Sequence, residues 1–168
     1  MCFATFENYS TIHKCRSTRG GGVAIMIRND LDFQIIGNIT DDEAIEIIGA
    51  KIYINNKIIA IYSYYNAPNS LINIELIQKI FDDNENTILC GDLNAITRST
   101  HRNKNGHALM NLLASSNIIS LNQHNEPTYF CNRNEYAEEL DYILTDNLLA
   151  PLNNDFIVDL EDLTSDHI

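Results

Sequence analysis

Apolar and polar positions follow two different patterns along the chain. The first pattern consists of runs rich in β-branched and aromatic residues, at 22–27, 44–54 and 57–65. Such runs are typical of strands. The pair Asn55 and Asn56 separates the last two runs and predicts a tight hairpin turn between them.

In two later segments the apolar residues have a helical spacing instead. Their apolar residues recur three and four positions apart: Ile74, Ile77, Ile80 and Phe81, then Ala108, Leu109, Leu112 and Leu113. This spacing predicts two amphipathic helices. Short apolar runs at 87–90, 129–131, 140–144 and 156–158 predict further strands. Because strands and helices interleave, the pattern indicates a mixed α/β fold.

Length and composition favour one domain that covers residues 1–168, with 45% hydrophobic residues to form its core. No run reaches the roughly 18 apolar residues of a membrane helix, and the Met1 segment lacks the basic start and apolar run of a secretory signal. We therefore expect an intracellular protein, nuclear or cytoplasmic and not secreted, with no membrane partner. Metal-ligand spacing is absent among the four cysteines, which we expect to be reduced: Cys2, Cys15, Cys90 and Cys131.

The charge distribution gives conflicting indications about a nucleic-acid partner. The net charge of −12 argues against one, because DNA affinity depends on Lys and Arg. However, no Lys or Arg follows Arg133, so the acidic excess lies mainly toward the C-terminus. Near the middle of the chain, Arg98, His101 and Arg102 open a basic cluster that can guide a phosphate even on an acidic protein. The alternative is an ordinary solvated loop.

Polar residues at strand ends form the candidate site. Asp92 and Asn94 follow a buried strand and share one face of it. Asp141 lies among apolar residues, where a lone carboxylate needs a partner. His167 is a suitable partner, because a carboxylate that accepts from one imidazole nitrogen fixes the tautomer of the ring. Asp166 is then left to meet a metal ion.

These residues lie in three ordered motifs: Gly91-Asp92-Leu93-Asn94-Ala95, Leu140-Asp141-Tyr142-Ile143-Leu144 and Ser165-Asp166-His167. In order and spacing the motifs resemble those of the endonuclease/exonuclease/phosphatase superfamily, which includes apurinic/apyrimidinic endonucleases. Three further segments resemble the branch carried by non-LTR (LINE-type) retrotransposons: Gly20-Gly21-Gly22-Val23-Ala24-Ile25, Tyr65-Asn66-Ala67-Pro68 and Pro127-Thr128-Tyr129-Phe130. The resemblance implies a DNase I-like α/β sandwich, with two packed mixed β-sheets flanked by helices.

The resemblance also implies a role for each motif residue. His167 would act at the scissile phosphate, with Asp141 hydrogen-bonded behind it. Asp92 would orient or deprotonate the attacking water. Asn94 would donate to a phosphate or nucleophile oxygen, and Tyr65 would contact the phosphate or the leaving group. Together these roles describe phosphodiester hydrolysis with no covalent intermediate on the protein.

The same resemblance also implies a metal cofactor, partners and strands that this domain lacks. Asp166 would help to hold Mg²⁺, for which Mn²⁺ can substitute, and DNA would be the substrate. A reverse transcriptase domain would belong to a longer parent protein. The family has an N-terminal strand with an Asn and a strand ending in a metal-binding Glu before the segment where this sequence starts, and Glu7 is a poor substitute for that Glu. We therefore expect an incomplete domain that lacks these strands and the closing C-terminal strand.

Three functions stay open on the sequence alone. The first is a DNA endonuclease whose nick primes reverse transcription. The second is a phosphatase or phosphodiesterase of the same superfamily that acts on small molecules or lipids, which the net negative charge favours. The third is a catalytically dead remnant or a DNA-binding module, which the absent Glu favours.

Overall fold

The structure is a computed structural model that describes residues 6–16, 21–122, 126–131, 136–147 and 149. Within these ranges the chain forms ten strands and two helices. In chain order they are β1 (Tyr9–Cys15), β2 (Gly22–Arg28), β3 (Asp32–Ile36), β4 (Glu46–Ile54), β5 (Lys57–Tyr65), α1 (Ile74–Asp83), β6 (Thr87–Asp92), α2 (Lys104–Ser115), β7 (Ile118–Ser120), β8 (Tyr129–Cys131), β9 (Tyr136–Glu138) and β10 (Asp141–Asp146).

A six-stranded mixed sheet with the order β3-β4-β5-β6-β10-β7 forms the centre of the fold. Strands β5 and β6 are parallel, and every other neighbouring pair in this sheet is antiparallel. The predicted hairpin joins β4 to β5, and both turn residues, Asn55 and Asn56, adopt a left-handed backbone with φ of 49° and 64°. Asparagine tolerates this conformation better than most residues, which explains the pair at this position.

Both faces of the central sheet are covered. The two helices pack on one face, where Ile77 and Leu109 are fully buried against Leu89 and Leu144. On the opposite face, Ile27 of β2 joins Ala50 and Ile52 of β4 in a second cluster. The small β1-β2 sheet therefore lies against the central sheet, and the predicted α/β sandwich is confirmed.

Both predicted helices and most predicted strands are present, although four strands were missed. These are β1, β3, β7 and β9. The strand expected at 156–158 lies outside the described residues. Among the described residues, the structure contains no helix of the length and apolar character that crossing a bilayer requires. The expectation of reduced cysteines is wrong at Cys15, which is disulfide-bonded, while Cys90 is a free thiol.

Candidate active site

Asp92 and Asp141 are direct cross-strand neighbours. Strand β6 ends at Asp92, β10 begins at Asp141, and the two residues oppose each other in the antiparallel register. Opposed residues of an antiparallel pair point to the same face, so both carboxylates lie on one side of this sheet edge. Two like charges in this position weaken the strand pair. This sheet edge is therefore the candidate active site.

Tyr65 ends the strand on the other side of β6. Because β5 and β6 run parallel, with Ser63 opposite Cys90, their C-terminal ends meet at the same sheet edge. The N–H of Asn66 donates to the carbonyl oxygen of Asp92 at 2.8 Å and continues this pairing past the last strand residue. The structure therefore brings Tyr65, Asp92 and Asp141 to one edge.

Asn94 is fixed beside Asp92 by its backbone and its side chain. Its φ of 46° lies in the left-handed region, and its N–H donates to Asp92 Oδ1 at 2.9 Å. Its side-chain Nδ2 donates to the carbonyl oxygen of Asn66 at 2.8 Å. An amide nitrogen has two N–H donors, so one remains for an anionic ligand. Asn94 thus lies beside Asp92 and next to the end of β5.

Thr128 supports Asp141, a role that sequence reasoning missed. Thr128 is buried, and its hydroxyl donates to Asp141 Oδ2 at 2.7 Å. The hydroxyl oxygen of Thr128 also accepts the backbone N–H groups of Leu140 at 3.1 Å and Asp141 at 3.0 Å. These three bonds fix the start of β10 and one carboxylate oxygen. The available sequence signal was the Pro127-Thr128 pair, which the family resemblance singled out without giving it a role.

Two asparagines at the start of α2 immobilise the loop that follows β6. Asn103 Oδ1 caps the helix by accepting from Gly106 N at 2.7 Å, and its Nδ2 donates to Asn94 O at 2.8 Å. Asn105 is buried and bridges Ile72 N at 3.0 Å and Ser70 O at 3.0 Å. The loop that carries Asn94 is thereby tied to α2 and to the segment after β5.

Tyr142, the residue after Asp141, connects β10 to the loop that follows β6. It is buried beside Asp141, and its hydroxyl donates to the carbonyl oxygen of Ala95 at 2.7 Å. Burial raises the pKa of the Tyr142 hydroxyl, so this group stays protonated and keeps its donor role at alkaline pH. Tyr142 therefore anchors the loop after β6 to β10.

The three phosphate-contact candidates differ in how they are held. His101 Nε2 pairs with the buried Glu138, and its Nδ1 lies 2.8 Å from Thr100 Oγ1. Both of its ring nitrogens are thus engaged with the protein. Arg102 Nε donates to Thr97 O at 2.9 Å, which leaves its terminal N–H groups for other contacts. Arg98 is partly buried on the same loop.

His167 and Asp166 lie outside the described residues, so their positions relative to Asp141 stay predictions. Among the described residues, no three His, Cys, Asp or Glu side chains are close enough to form a metal site. The nearest described carboxylate chemistry is that of Asp92 and Asp141, which makes this edge acidic, and carboxylate oxygens are the hard donors that Mg²⁺ prefers. Mg²⁺ is commonly bound through one or two carboxylates, several waters and a substrate phosphate. The donor chemistry at this edge fits such an ion.

Comparison with known proteins identifies a family and a fold for the chain. The sequence profile of the endonuclease-reverse transcriptase family matches residues 59–168, more than half of the chain. A search of curated proteins found no match.

Among solved structures, the endonuclease domain of TRAS1, a telomere-specific non-LTR retrotransposon, has a TM-score of 0.80 at 24% identity, over 96% of this chain and 76% of that chain. The 3′ phosphatase NExo from Neisseria, bound to a product DNA hairpin, has a TM-score of 0.66 at 17% identity, with coverages of 95% and 77%. The mannosyl-6-phosphatase Bt3783 of Bacteroides thetaiotaomicron has a TM-score of 0.60 at 14% identity, with coverages of 84% and 64%.

At these identities the structural likeness shows the fold alone, and the profile match shows the family. The sheet edge with Asp92 and Asp141 lies inside the matched segment. The chain belongs to the endonuclease-reverse transcriptase family and has the endonuclease/exonuclease/phosphatase fold.

Proposed function

We propose that the chain is a Mg²⁺-dependent DNA endonuclease domain of a retrotransposon-type protein, which hydrolyses one phosphodiester bond to leave a nick. The observation that carries the proposal is the opposed pair Asp92 and Asp141, with Tyr65 and Asn94 at the same sheet edge. Hydrolysis needs an activated water and stabilisation of the charge on the phosphate. This group of side chains offers both.

Each described residue has a role that its contacts allow. Asp92 orients the attacking water or accepts its proton, since a carboxylate in hydrogen-bond reach is a general base. Asn94 and Tyr65 donate to phosphate or leaving-group oxygens. Asp141 supports His167 at the scissile phosphate, and Thr128 holds Asp141 in place for this purpose.

The metal ion is part of the proposal. When bound, Mg²⁺, or Mn²⁺ in its place, would neutralise developing charge on the phosphate oxygens. Asp166 would hold it directly or through water. The reverse transcriptase domain that would extend from the nick belongs to a longer parent protein.

DNA is the proposed substrate although the chain carries a net charge of −12. Arg98 and Arg102 lie on the loop that connects β6, which ends at Asp92, to α2. Local positive charge can guide a phosphate when the overall charge is unfavourable. A phosphatase activity is the second candidate, because two proteins that share the fold are a 3′ phosphatase and a mannosyl-6-phosphatase.

Nicking of supercoiled plasmid in Mg²⁺ tests the proposal. We expect nicking by the chain, loss of nicking with a chelator, and a decrease of about a hundredfold or more in Asp92→Asn and His167→Ala, the size of a lost acid–base group. Asp32→Asn is the matched control, because Asp32 is an exposed aspartate on the edge strand β3. Its rate should equal that of the wild type.

The other candidate functions give different results in the same assay. Release of inorganic phosphate from a small phosphate ester without nicking would replace the proposal by a phosphatase. DNA binding that is the same in wild type and His167→Ala, with no turnover in either, would identify a binding module without activity.

A further inference from the structure

Arg16 lies against Tyr65 and is held there by Glu46. The Arg16 Cζ atom is 4.9 Å from the centroid of the Tyr65 ring, and Arg16 Nε donates to Glu46 Oε1 at 2.6 Å. Glu46 and Tyr65 are direct cross-strand partners in the β4-β5 hairpin, so both side chains lie on the same face. Arg16, Glu46 and Tyr65 thus form one connected group, the Arg16 cluster, around the proposed phosphate-contact residue.

Two glycines at the start of β2 lie close to Arg16 and to the end of β1. Gly21 has a φ of +95°, and a Cβ on it would lie 3.3 Å from Arg16 Cζ. Gly22 has a φ of +135°, and its Cβ would collide with the carbonyl oxygen of Lys14. The absence of a side chain on Gly21 therefore lets the guanidinium lie close to this backbone, and Gly22 lets β2 begin close to the end of β1.

The charges of the cluster are unequally exposed. The Glu46 side chain is only 12% exposed, while that of Arg16 is 31% exposed. The hydrogen bond to Glu46 raises the pKa of Arg16, and Tyr65 adds to the rise, so the guanidinium is charged at every working pH. Within the described part of the chain, Glu46 Oε2 is buried without a hydrogen-bond partner, so the cluster uses one carboxylate oxygen.

We propose that Arg16 is a positioning residue: oriented by Glu46, it holds the Tyr65 ring so that the phenol hydroxyl meets the substrate phosphate. A guanidinium over an aromatic face is attractive and restricts the ring. Its planar fork also fixes the direction of the stack, which an ammonium cannot do. This proposal rests on the proposed function, in which Tyr65 contacts the phosphate.

Steady-state nicking separates positioning from ordinary surface stabilisation. We expect Arg16→Gln and Glu46→Gln to lower kcat about ten- to a hundredfold, the cost of a misplaced group, with KM changed by less than about threefold. Arg16→Lys should recover part of kcat. In a Tyr65→Phe background, Arg16→Gln should cost little more, because residues that act through one another are not additive. Full additivity would overturn the proposal.

Arg28→Gln is the matched control. Arg28 ends strand β2 of the β1-β2 sheet, as Arg16 follows the end of β1. Arg28 also pairs with a carboxylate, Asp30, but both side chains are more than half exposed. A surface pair of this kind contributes little. Equal kcat losses in Arg28→Gln and Arg16→Gln would point to a general loss of structure and would contradict the proposal.

The NMR chemical shifts of the Tyr65 ring, observed with ¹³C-labelled tyrosine, test the Arg16 contact without an activity measurement. They should shift in Arg16→Gln and in Glu46→Gln and stay unchanged in Arg28→Gln. If the wild type does not nick DNA but these shifts occur, the proposed function fails while the positioning contact stands. Unchanged Tyr65 resonances in Arg16→Gln would overturn the positioning role whatever the activity.

Discussion

The carbonyl oxygen of Tyr64 occupies the space that a side chain on Gly91 would need. Gly91 also has a φ of +148°, a conformation that residues with a Cβ rarely adopt. The contact lies one residue before Asp92 and next to Tyr65, so it sets how closely β5 and β6 approach at the candidate site. The glycine of the Gly-Asp-x-Asn motif is thereby explained by backbone packing.

Gly91→Ala should destabilise the fold strongly. A forced positive φ costs about 1–3 kcal/mol, and the collision with a backbone atom adds to it. Urea unfolding should show a loss of at least about 3 kcal/mol, or no folded protein. Gly37→Ala is the control, since a Cβ there meets no atom of the described residues within 4 Å. Similar unfolding midpoints for the two variants would contradict the close approach.

Thr128→Val should damage both stability and nicking. The variant removes the donor to Asp141 Oδ2 and leaves the N–H groups of Leu140 and Asp141 without this acceptor. We expect about 2 kcal/mol or more to be lost from the free energy of unfolding. Thr128→Ser keeps the hydroxyl and should retain most nicking activity. A Thr128→Val variant that nicks like the wild type would exclude a supporting role.

The sequence pattern predicted the helices and strands that are encoded by neighbouring residues. The β4-β5 hairpin is encoded by two apolar runs and two asparagines, and both helices by their apolar spacing. Strand β1 was missed because its sequence is polar and its structure comes from pairing with β2, as in Ile12 opposite Ile25. Motif order was enough to group Asp92 with Asp141, whereas their direct opposition required the strand register.

The supporting residues of the site lay beyond sequence reasoning for a related reason. Thr128 acts through a hydroxyl that any buried threonine carries, and its role depends on where β10 begins. Arg16 meets Tyr65 only because the β1-β2 sheet packs on the central sheet. Such contacts arise from packing between distant segments, which a single sequence does not display.

Asn105→Ala tests the rigid connection behind the loop that follows β6. The side chain of Asn105 satisfies Ile72 N and Ser70 O in a buried position. Its removal leaves both groups without this partner, and we expect a loss of about 2 kcal/mol in urea unfolding. Asn111→Ala on the exposed face of the same helix is the matched control and should change stability by less than about 0.5 kcal/mol. Equal effects would show that Asn105 contributes only helix propensity.

We expect Arg98 to contribute to DNA binding and His101 to contribute to stability. Arg98→Ala should weaken DNA binding and reduce the slope of log affinity against log salt by about 1, the signature of one phosphate contact. His101→Ala should leave the salt slope unchanged. It should lower the free energy of unfolding by about 2 kcal/mol, because the buried carboxylate of Glu138 loses its His101 partner. Fluorescence anisotropy with a short duplex and urea unfolding measure the two effects. The reverse result would make His101 the phosphate contact.

The free thiol of Cys90 should make stability depend on alkaline pH. Burial raises the pKa of this thiol from 9.0 to about 11 in the folded protein. The unfolded chain therefore loses the Cys90 proton first as pH rises, and the folded state binds more protons between about pH 9 and pH 11. The Cys90 contribution to stability is complete below about pH 9 and decreases as pH rises toward 11.

Urea unfolding of wild type and Cys90→Ala between pH 7 and pH 10.5 isolates this effect, because the tyrosines titrate alike in both. Tyr62 and Tyr64 also have a raised pKa through burial, so both proteins should lose stability at the alkaline end. The wild type should lose more, and the difference between the two proteins should shrink as pH passes 9. A difference that stays constant across this range would mean that the Cys90 thiol titrates alike in the folded and unfolded chains, and that strand β6 does not shield it from water.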